Sequence, residues 1–208
     1  MPEDAVMRGE DGVHRCSWGA TTAEYIAYHD NEWGRPVTDE AAVFERVCLE
    51  GFQSGLSWIT ILRKRDNFRA AFANFEPEKV AQFDNNDVDR LLGDTGIVRH
   101  RGKIEATINN ARATIALAAV GTSVSELLWN AAPAKRSRAP KTLADITAKT
   151  PESIALSKEL IRLGFKFVGP TTLYAAMQAM GVVNDHMTGC HVRQACDDAR
   201  HREKNHLS

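Results

Sequence analysis

Leu49-Glu-Gly-Phe-Gln-Ser-Gly-Leu-Ser-Trp58 is the segment around which the rest of the chain is arranged, and it lies inside a helical pattern from Asp39 to about Arg65. Five positions of the pattern follow one another at spacings of 4, 3, 4 and 4 residues, and on a helix they form one stripe: Val43, Val47, Glu50, Ser54 and Trp58. The stripe begins apolar and ends on tryptophan, so we expect Glu50 to point inward. A buried carboxylate without a partner is costly, so it shifts its pKa or finds a partner.

Two glycines, Gly51 and Gly55, follow this carboxylate inside the predicted helix. Each costs about 1 kcal/mol there relative to alanine. They are explained if another helix or a flat ligand approaches the backbone closely. A core helix with one partnered glutamate explains the same stripe, so the pattern alone leaves both interpretations open.

The composition is that of a chain with a sizeable core, because 43% of its 208 residues are apolar. A net charge of −1 argues against a broadly basic nucleic-acid-binding protein, although a local basic patch is enough for such binding. The sequence has no apolar run long enough to span a membrane and no signal peptide, so we expect no membrane partner. Four scattered cysteines do not make a disulfide framework, which favours a reducing cytoplasm.

The chain is predicted to be all-α, because no strand-like alternation of apolar and polar residues is found in it. We expect residues 1–14 to be a loose tail, residues 15–195 to form a single domain of two helical lobes, and residues 196–208 to be a polar tail. Thr150 and Pro151 have the residue types of an N-cap and a first helical position, and Pro170 is predicted to start a further helix.

Two pairs of candidate metal ligands lie at opposite ends of the chain: Cys16 with His29, and His186 with Cys190. The second pair has i, i+4 spacing, so its members share one face if the segment is helical. Two cysteines and two histidines are a usual ligand set for tetrahedral zinc. Spacing alone also allows buried cysteines and surface histidines without a metal. It leaves three rival ligands open: His14, His191 and Cys196.

The segment Gly164-Phe-Lys-Phe-Val-Gly169 lies between two predicted helices and resembles a helix–hairpin–helix connection. The backbone N–H groups of such a turn, together with the start of the second helix, can hold a phosphate, and Lys166 adds positive charge. A plain connection between helices has the same features. A second basic segment occupies the loop over residues 131–141, where a solvated loop is the simpler interpretation. Its basic residues are Lys135, Arg136, Arg138 and Lys141.

The aromatic residues of the first third of the chain surround Glu50 in the sequence: Trp18, Tyr25, Tyr28, Trp33 and Trp58. Aromatic walls and one carboxylate suit a flat cationic ring, which they bind by stacking, cation–π attraction and a charge-assisted hydrogen bond. Ordinary core aromatics would give the same composition.

Six sequence blocks, in order over about residues 15–190, resemble those of the DNA-3-methyladenine glycosylase I family. They are Cys16-Ser-Trp-Gly, Tyr28-His-Asp-Asn-Glu-Trp-Gly34, the segment from Leu49 to Trp58, Gly96-Ile-Val-Arg-His-Arg-Gly-Lys103, Gly164-Phe-Lys-Phe-Val-Gly-Pro170 and Val183-Asn-Asp-His186. The resemblance implies an all-helical helix–hairpin–helix glycosylase that excises 3-methyladenine from alkylated double-stranded DNA. We expect it to act as a monomer, with one structural zinc joining the N- and C-terminal regions.

The resemblance also assigns roles by position. Glu50 is implied as the catalytic and base-recognising carboxylate. The implied substrate-binding residues are Tyr28 and Trp58, with Tyr25, Trp18 and Trp33 in or near the pocket. The implied zinc ligands are Cys16, His29, His186 and Cys190. We expect phosphate contacts from Gly164, Lys166, Gly169, Arg99 and Lys103.

Related helix–hairpin–helix glycosylases carry a catalytic Asp after the second hairpin helix, and bifunctional ones add a Lys. Thr171 occupies the Lys position, so no lyase step is expected. The Asp position falls on Asn184 or Asp185; we favour Asn184, which leaves Glu50 as the main carboxylate. The alternatives are a glycosylase with a broader range of alkylated bases and a non-catalytic, zinc-stabilised DNA-binding domain. An inward Glu50 ringed by aromatics argues against the second.

Overall fold

The computed structural model describes residues 5–134 and 138–207, and helices account for most of this part of the chain. The α-helices in chain order are α1 (Ala23–Asn31), α2 (Glu40–Gln53), α3 (Trp58–Ala71), α4 (Pro77–Val80), α5 (Asn85–Gly93), α6 (Arg101–Ala119), α7 (Val124–Asn130), α8 (Pro151–Arg162), α9 (Pro170–Ala179) and α10 (Arg193–Leu207). Three short 3-10 helices add Ser17–Ala20, Ala73–Phe75 and Leu143–Asp145.

The prediction of a mostly helical chain is confirmed, and a short β-hairpin that was not predicted precedes the helices. Strand β1 (Val6–Arg8) pairs antiparallel with β2 (His14–Cys16). Each strand has three residues, which is too short for an alternating pattern to be recognised in the sequence. Residues 5–14, expected to be loose, are therefore paired through β1 with the strand that carries Cys16.

Helix α2 lies between two hydrophobic clusters. Val43 and Val47 pack with apolar residues of α7, α8 and α9. Phe44 and Phe52 pack instead with residues of α3, α5 and α6. A helix that is buried on two sides is a core element, so α2 fixes the positions of the helices on both sides of it.

The single long helix predicted around Glu50 is wrong, because α2 ends at Gln53 and α3 begins at Trp58. Gly55 has a φ of +84°, a conformation that side-chain-bearing residues rarely adopt and that interrupts a helix. Ser57 is then extended and serves as the N-cap position of α3. The stripe therefore ends with Glu50, which is still directed inward.

Gly51 is adjacent to the connection between α8 and α9. A Cβ added at Gly51 would lie 3.5 Å from both the Cβ and the carbonyl oxygen of Phe167. This is an ordinary packing distance, so the predicted close approach of another segment exists here but does not by itself require glycine.

Helix α10 occupies the region where a polar tail was expected. Three of its residues are buried: Cys196, Asp197 and Arg200. Asn184 Nδ2 donates to Asp197 Oδ1 at 2.9 Å, and Arg200 Nε donates to the Val182 carbonyl at 2.7 Å. Only a narrow stripe of the helix is buried, so most of its residues are polar. The sequence of the segment therefore does not show the apolar periodicity by which a helix is predicted.

The two helix starts predicted from proline are confirmed. Thr150 caps α8 by accepting a hydrogen bond from the Ser153 amide at 3.2 Å, and Pro151 takes the first position. Pro170 takes the first position of α9.

Within the described ranges, no single helix is long and apolar enough to span a membrane. Helices α6 and α7, which meet at 82°, satisfy such a criterion of length and composition only as a bent pair.

Candidate active site and metal centre

An aromatic cavity of about 250 Å³ lies beside the C-terminal half of α2. All five aromatic side chains singled out from the sequence line it: Trp18, Tyr25, Tyr28, Trp33 and Trp58. The Trp18 ring meets the Trp33 ring edge-on, with 4.9 Å between centroids, and the Tyr28 ring lies 5.5 Å from that of Trp58. The structure thus brings together, in one wall, residues from three separate segments.

Glu50 lies in the wall of this cavity with 5% of its surface exposed. Burial raises the pKa of its carboxyl group to about 8, opposed only by the positive charge of Arg46. No donor among the described residues forms a hydrogen bond with this carboxyl group. A desolvated, unpartnered acid in a cleft is typical of a functional site and not of a partnered core residue.

The two tyrosines of the wall are held in place differently. Tyr28 is buried, and burial together with the charge of Glu50 raises the pKa of its phenol. The Tyr25 hydroxyl accepts a hydrogen bond from the Ile59 amide at 3.0 Å, which ties α1 to the first turn of α3. The aromatic wall is therefore anchored to the helix that begins with Trp58.

Four further residues line the cavity and were missed in the sequence: Gln53, Ile146, Ala175 and Gln178. Gln53 lies at the end of the same helix as Glu50, and its position was available from the helical pattern. Ala175 and Gln178 project from α9, for which the sequence predicted only a helix. Ile146 follows a 3-10 helix and has no sequence signal at all.

The two candidates for the catalytic Asp position differ in their surroundings. Asn184 is buried, and its amide is bound to Asp197. Asp185 Oδ2 accepts from the Tyr174 hydroxyl at 2.6 Å and from Gln178 Nε2 at 2.8 Å. Neither residue lines the cavity, but Asp185 contacts one that does.

A second cluster combines two thiols and two imidazoles from both ends of the chain: Cys16, His29, His186 and Cys190. All four are buried, and one ligand atom from each lies within 4.8 Å of the others. Cys190 Sγ is 3.4 Å from His29 Nε2 and 3.6 Å from His186 Nδ1. Zinc bonds of about 2.3 Å to sulfur and about 2.05 Å to nitrogen put tetrahedral S and N ligands about 3.5 Å apart. The donor set and its spacing fit zinc.

The second nitrogen of each imidazole has its own partner. His29 Nδ1 lies 2.8 Å from Asp30 Oδ1, and His186 Nε2 lies 3.1 Å from the Trp33 carbonyl. Burial alone would raise the pKa of Asp30. Hydrogen bonds from Arg15 and from the imidazoles of His29 and His191 outweigh burial and hold the pKa of Asp30 well below its usual range. These partners orient the remaining ring nitrogens towards the cluster, as is usual for metal-binding histidines.

The predicted helical face shared by His186 and Cys190 is wrong, because both lie in the loop between α9 and α10. A turn in that loop, not a helix, brings them together. Of the rival ligands, His191 Nε2 instead contacts Asp30 Oδ1 at 2.9 Å. The other two rivals lie outside the four-residue group: His14 and Cys196.

The connection between α8 and α9 presents a basic, glycine-bounded turn. Lys166 is exposed, Gly164 has a φ of +90°, and Gly169 is the N-cap of α9. Asn110 of α6 fixes the turn, because its Nδ2 donates to the Lys166 carbonyl at 2.9 Å and its Oδ1 accepts from the Lys166 amide at 2.8 Å. Arg99 is also exposed. Lys135 and Arg136 of the second basic segment lie outside the described residues.

Lys103 does not belong to this basic surface, so the predicted phosphate contact is corrected. It is 7% exposed, and burial lowers the pKa of its ammonium group. The ammonium donates to the Phe52 carbonyl at 2.8 Å and to the Ser54 carbonyl at 2.6 Å. A cation at the carbonyl end of a helix is favourable, so Lys103 closes the end of α2 beside the cavity.

The sequence and the fold of this chain are similar to those of known methyladenine glycosylases. A family model described as methyladenine glycosylase matches residues 18–194. DNA-3-methyladenine glycosylase 1 of Escherichia coli strain K12 is 51% identical over 181 residues, which are 86% of this chain and 96% of that protein. A crystal structure of 3-methyladenine DNA glycosylase I superposes with a TM-score of 0.82 at 51% identity, covering 85% of this chain and 98% of the other. A structure of 3-methyladenine DNA glycosylase I from Staphylococcus aureus, which describes the recognition of 3-methyladenine, superposes with a TM-score of 0.81 at 37% identity. The match covers 86% of this chain and 96% of the other.

Proposed function

The chain belongs to the methyladenine glycosylase family, and we propose that the cavity around Glu50 is where it binds 3-methyladenine. The enzyme is a DNA glycosylase of base excision repair that hydrolyses the N-glycosidic bond of 3-methyladenine in alkylated DNA. The observation that carries the placement is the buried Glu50, which has no hydrogen-bond partner among the described residues and faces a cavity with aromatic walls. At about 250 Å³ the cavity is smaller than the roughly 300–1,000 Å³ of pockets for drug-sized ligands, which suits one flat base.

The substrate base carries a positive charge, so its departure needs modest chemical help. The bond between the base nitrogen and sugar C1′ breaks, its electron pair neutralises the base, and water oxygen bonds to C1′ and releases a proton. Burial raises the pKa of Glu50 to about 8, and the positive charge of the bound base favours the ionised carboxylate. Glu50 therefore accepts hydrogen bonds from the base. Tyr28 and Trp58 border the ring. Thr171 stands where a lyase would have lysine, so the reaction ends at the abasic site.

The base must leave the duplex stack to enter the cavity. Leu56 lies on the loop between the cavity residues Gln53 and Trp58, and this large apolar side chain is 40% exposed. An apolar side chain on such a loop can fill the gap in the stack. Lys166, Gly164, Gly169 and Arg99 are proposed to hold phosphates of double-stranded DNA, which positions the duplex without reading its sequence. We further propose that one monomer carries the whole site.

We propose that Cys16, His29, His186 and Cys190 hold one zinc ion. Four protein ligands leave no open position, so the ion is structural and takes no part in the reaction. It would tie β2 and α1 to the loop before α10, and so hold the aromatic residues of α1 in the cavity wall. No disulfide joins the four cysteines. We propose the cytoplasm as the location of the protein, as expected from the sequence.

The alternatives make different demands on Glu50. A non-catalytic DNA-binding domain has no use for a buried acid in an aromatic cavity, so the structure favours the enzyme. A glycosylase with a broader range of bases would use the same cavity, and only the products separate it from a 3-methyladenine enzyme.

Titration of the protein with free 3-methyladenine, followed by tryptophan fluorescence, tests the placement of the site. A hydrogen bond to a charged group contributes about 1.5–3 kcal/mol, so Glu50→Gln should weaken binding roughly 10- to 150-fold. Wild-type affinity in Glu50→Gln, with Asp185→Asn inactive in base release, would transfer the role to Asp185.

A further inference from the structure

One polar side chain enters the cavity from the side of α9. Gln178 lines the cavity, and the α9 residue one turn earlier that also lines it is Ala175, which has no polar side-chain atom. Behind Gln178 lies Asp185, which is buried and whose Oδ2 is 2.8 Å from Gln178 Nε2. The same carboxylate oxygen also accepts from the Tyr174 hydroxyl at 2.6 Å. A glutamine in the wall is therefore fixed from behind by a carboxylate that does not line the cavity.

The carboxylate determines which way the amide of Gln178 is turned. Asp185 Oδ2 accepts from the Tyr174 hydroxyl, and the Gln178 atom that lies 2.8 Å from the same oxygen is the amide nitrogen, which donates to it. The reversed amide would place two acceptor oxygens 2.8 Å apart. This leaves the amide oxygen of Gln178, together with one N–H, for a molecule in the cavity.

We propose that Gln178 is a specificity-determining contact to the extruded base and that Asp185 is its positioning residue. The proposal rests on the proposed function of the cavity. The amide oxygen of Gln178 accepts from the exocyclic amine of an adenine-type base. A guanine-type base has a carbonyl oxygen at the equivalent position, and two acceptors would then face one another. Gln178 therefore favours alkylated adenine over alkylated guanine, in addition to the contact made by Glu50.

A double-mutant cycle separates this role from a direct catalytic role of Asp185. The variants are Gln178→Ala, Asp185→Asn and the double variant. Free 3-methyladenine affinity is measured by tryptophan fluorescence, and the ratio of 3-methyladenine to 7-methylguanine release is measured on methylated DNA. Loss of one neutral hydrogen bond should weaken binding by Gln178→Ala about 2- to 12-fold and lower the release ratio. Asp185→Asn alone should weaken binding and lower the release ratio by the same factor as Gln178→Ala or by a smaller one. In the Gln178→Ala background it should change neither quantity further.

The opposite result of the cycle overturns the proposal. If Asp185→Asn lowers the saturating rate of base release equally with and without the Gln178 amide, Asp185 acts directly. Wild-type affinity and release ratio in Gln178→Ala would also refute the contact. Glu50→Gln is measured alongside, because wild-type behaviour there would refute the proposed function of the cavity instead.

Two controls keep the result specific. Gln194 on α10 is exposed and donates to Asp198 Oδ1 at 2.7 Å, so Gln194→Ala removes the same type of pair away from the cavity and should leave affinity and release ratio unchanged. If Gln178→Ala does not fold, Gln178→Met keeps the length of the side chain and removes the amide. The same loss of affinity is expected from it.

Discussion

Replacing Glu50 with glutamine should make the folded protein more resistant to unfolding at neutral and alkaline pH while it weakens base binding. The reason is that the buried carboxyl group has a pKa of about 8 in the folded protein, against an ordinary value of 4.5. As the pH rises from about 4.5 to about 8, the unfolded chain loses this proton and the folded protein keeps it. Wild-type stability therefore falls with rising pH over this window, and the glutamine variant lacks this contribution.

The size of the effect follows from the two pKa values. One pKa unit corresponds to about 1.4 kcal/mol, so the carboxyl group disfavours the folded state by about 3 kcal/mol at pH 7 and by about 5 kcal/mol at most. Between pH 5 and pH 8 the wild type should lose about 3.5 kcal/mol relative to Glu50→Gln. The glutamine amide has a burial cost of its own, about 1–3 kcal/mol if it finds no partner. That cost does not depend on pH, so the slope is the quantity to test.

Urea unfolding of wild type and Glu50→Gln from pH 5 to pH 8 measures this difference directly. Glu45→Gln is a matched control on the same helix, because Glu45 forms an ion pair with Arg69 at 2.8 Å outside the cavity. If the two stability curves run parallel between pH 5 and pH 8, then Glu50 is a partnered core residue and the reasoning fails.

Three further predictions concern the metal, the duplex and the end of α2. Purified protein should contain about one zinc per chain, and metal analysis should find it lost in Cys190→Ser and kept in Cys196→Ser; full zinc in Cys190→Ser would move the ligand elsewhere. Lys166→Ala should weaken binding of abasic duplex DNA and reduce the slope of its salt dependence by about one, whereas the control Lys158→Ala on α8 should change neither. An equal slope for the wild type and both variants would mean that another basic segment contacts the phosphates. Lys103→Met should weaken base release more than it weakens phosphate-dependent DNA binding, because it leaves the carbonyls at the end of α2 without their hydrogen-bond donor. If the variant instead loses only DNA affinity, together with part of the salt dependence of that affinity, Lys103 contacts phosphate as first predicted.

The inward direction of Glu50 could be predicted even though the helix around it was drawn too long. Val43, Val47 and Glu50 all precede the interruption at Gly55, so the part of the stripe that carries the argument is helical in the structure. The interruption itself depends on the positive φ of Gly55, for which a lone glycine in a helical pattern is only a weak signal.

The cluster of Cys16, His29, His186 and Cys190 was predicted through the resemblance to a family, whereas local spacing gave a wrong reason for it. The last two residues lie on a turn, and their i, i+4 spacing is not helical. Two ends of a chain meet through tertiary packing, which no local pattern contains.

Lys103, Gln178 and helix α10 could not be placed from the sequence for a related reason. A lysine among arginines is normally a solvated charge, and only the position of the α2 carbonyls shows that this one is buried. Gln178 became a candidate because Asp185 lies next to it in space. The narrow buried stripe of α10 is outweighed by its charged residues, so composition indicated a tail.

Base release from methylated duplex DNA, with 3-methyladenine and 7-methylguanine resolved from one another, is the most direct test of the central claim. The wild type should release 3-methyladenine in clear preference to 7-methylguanine, and Glu50→Gln should lose most of that release while remaining folded. Equal release of both bases by the wild type would contradict the preference for 3-methyladenine. Undiminished release of 3-methyladenine by folded Glu50→Gln would contradict the assignment of the cavity and its carboxylate.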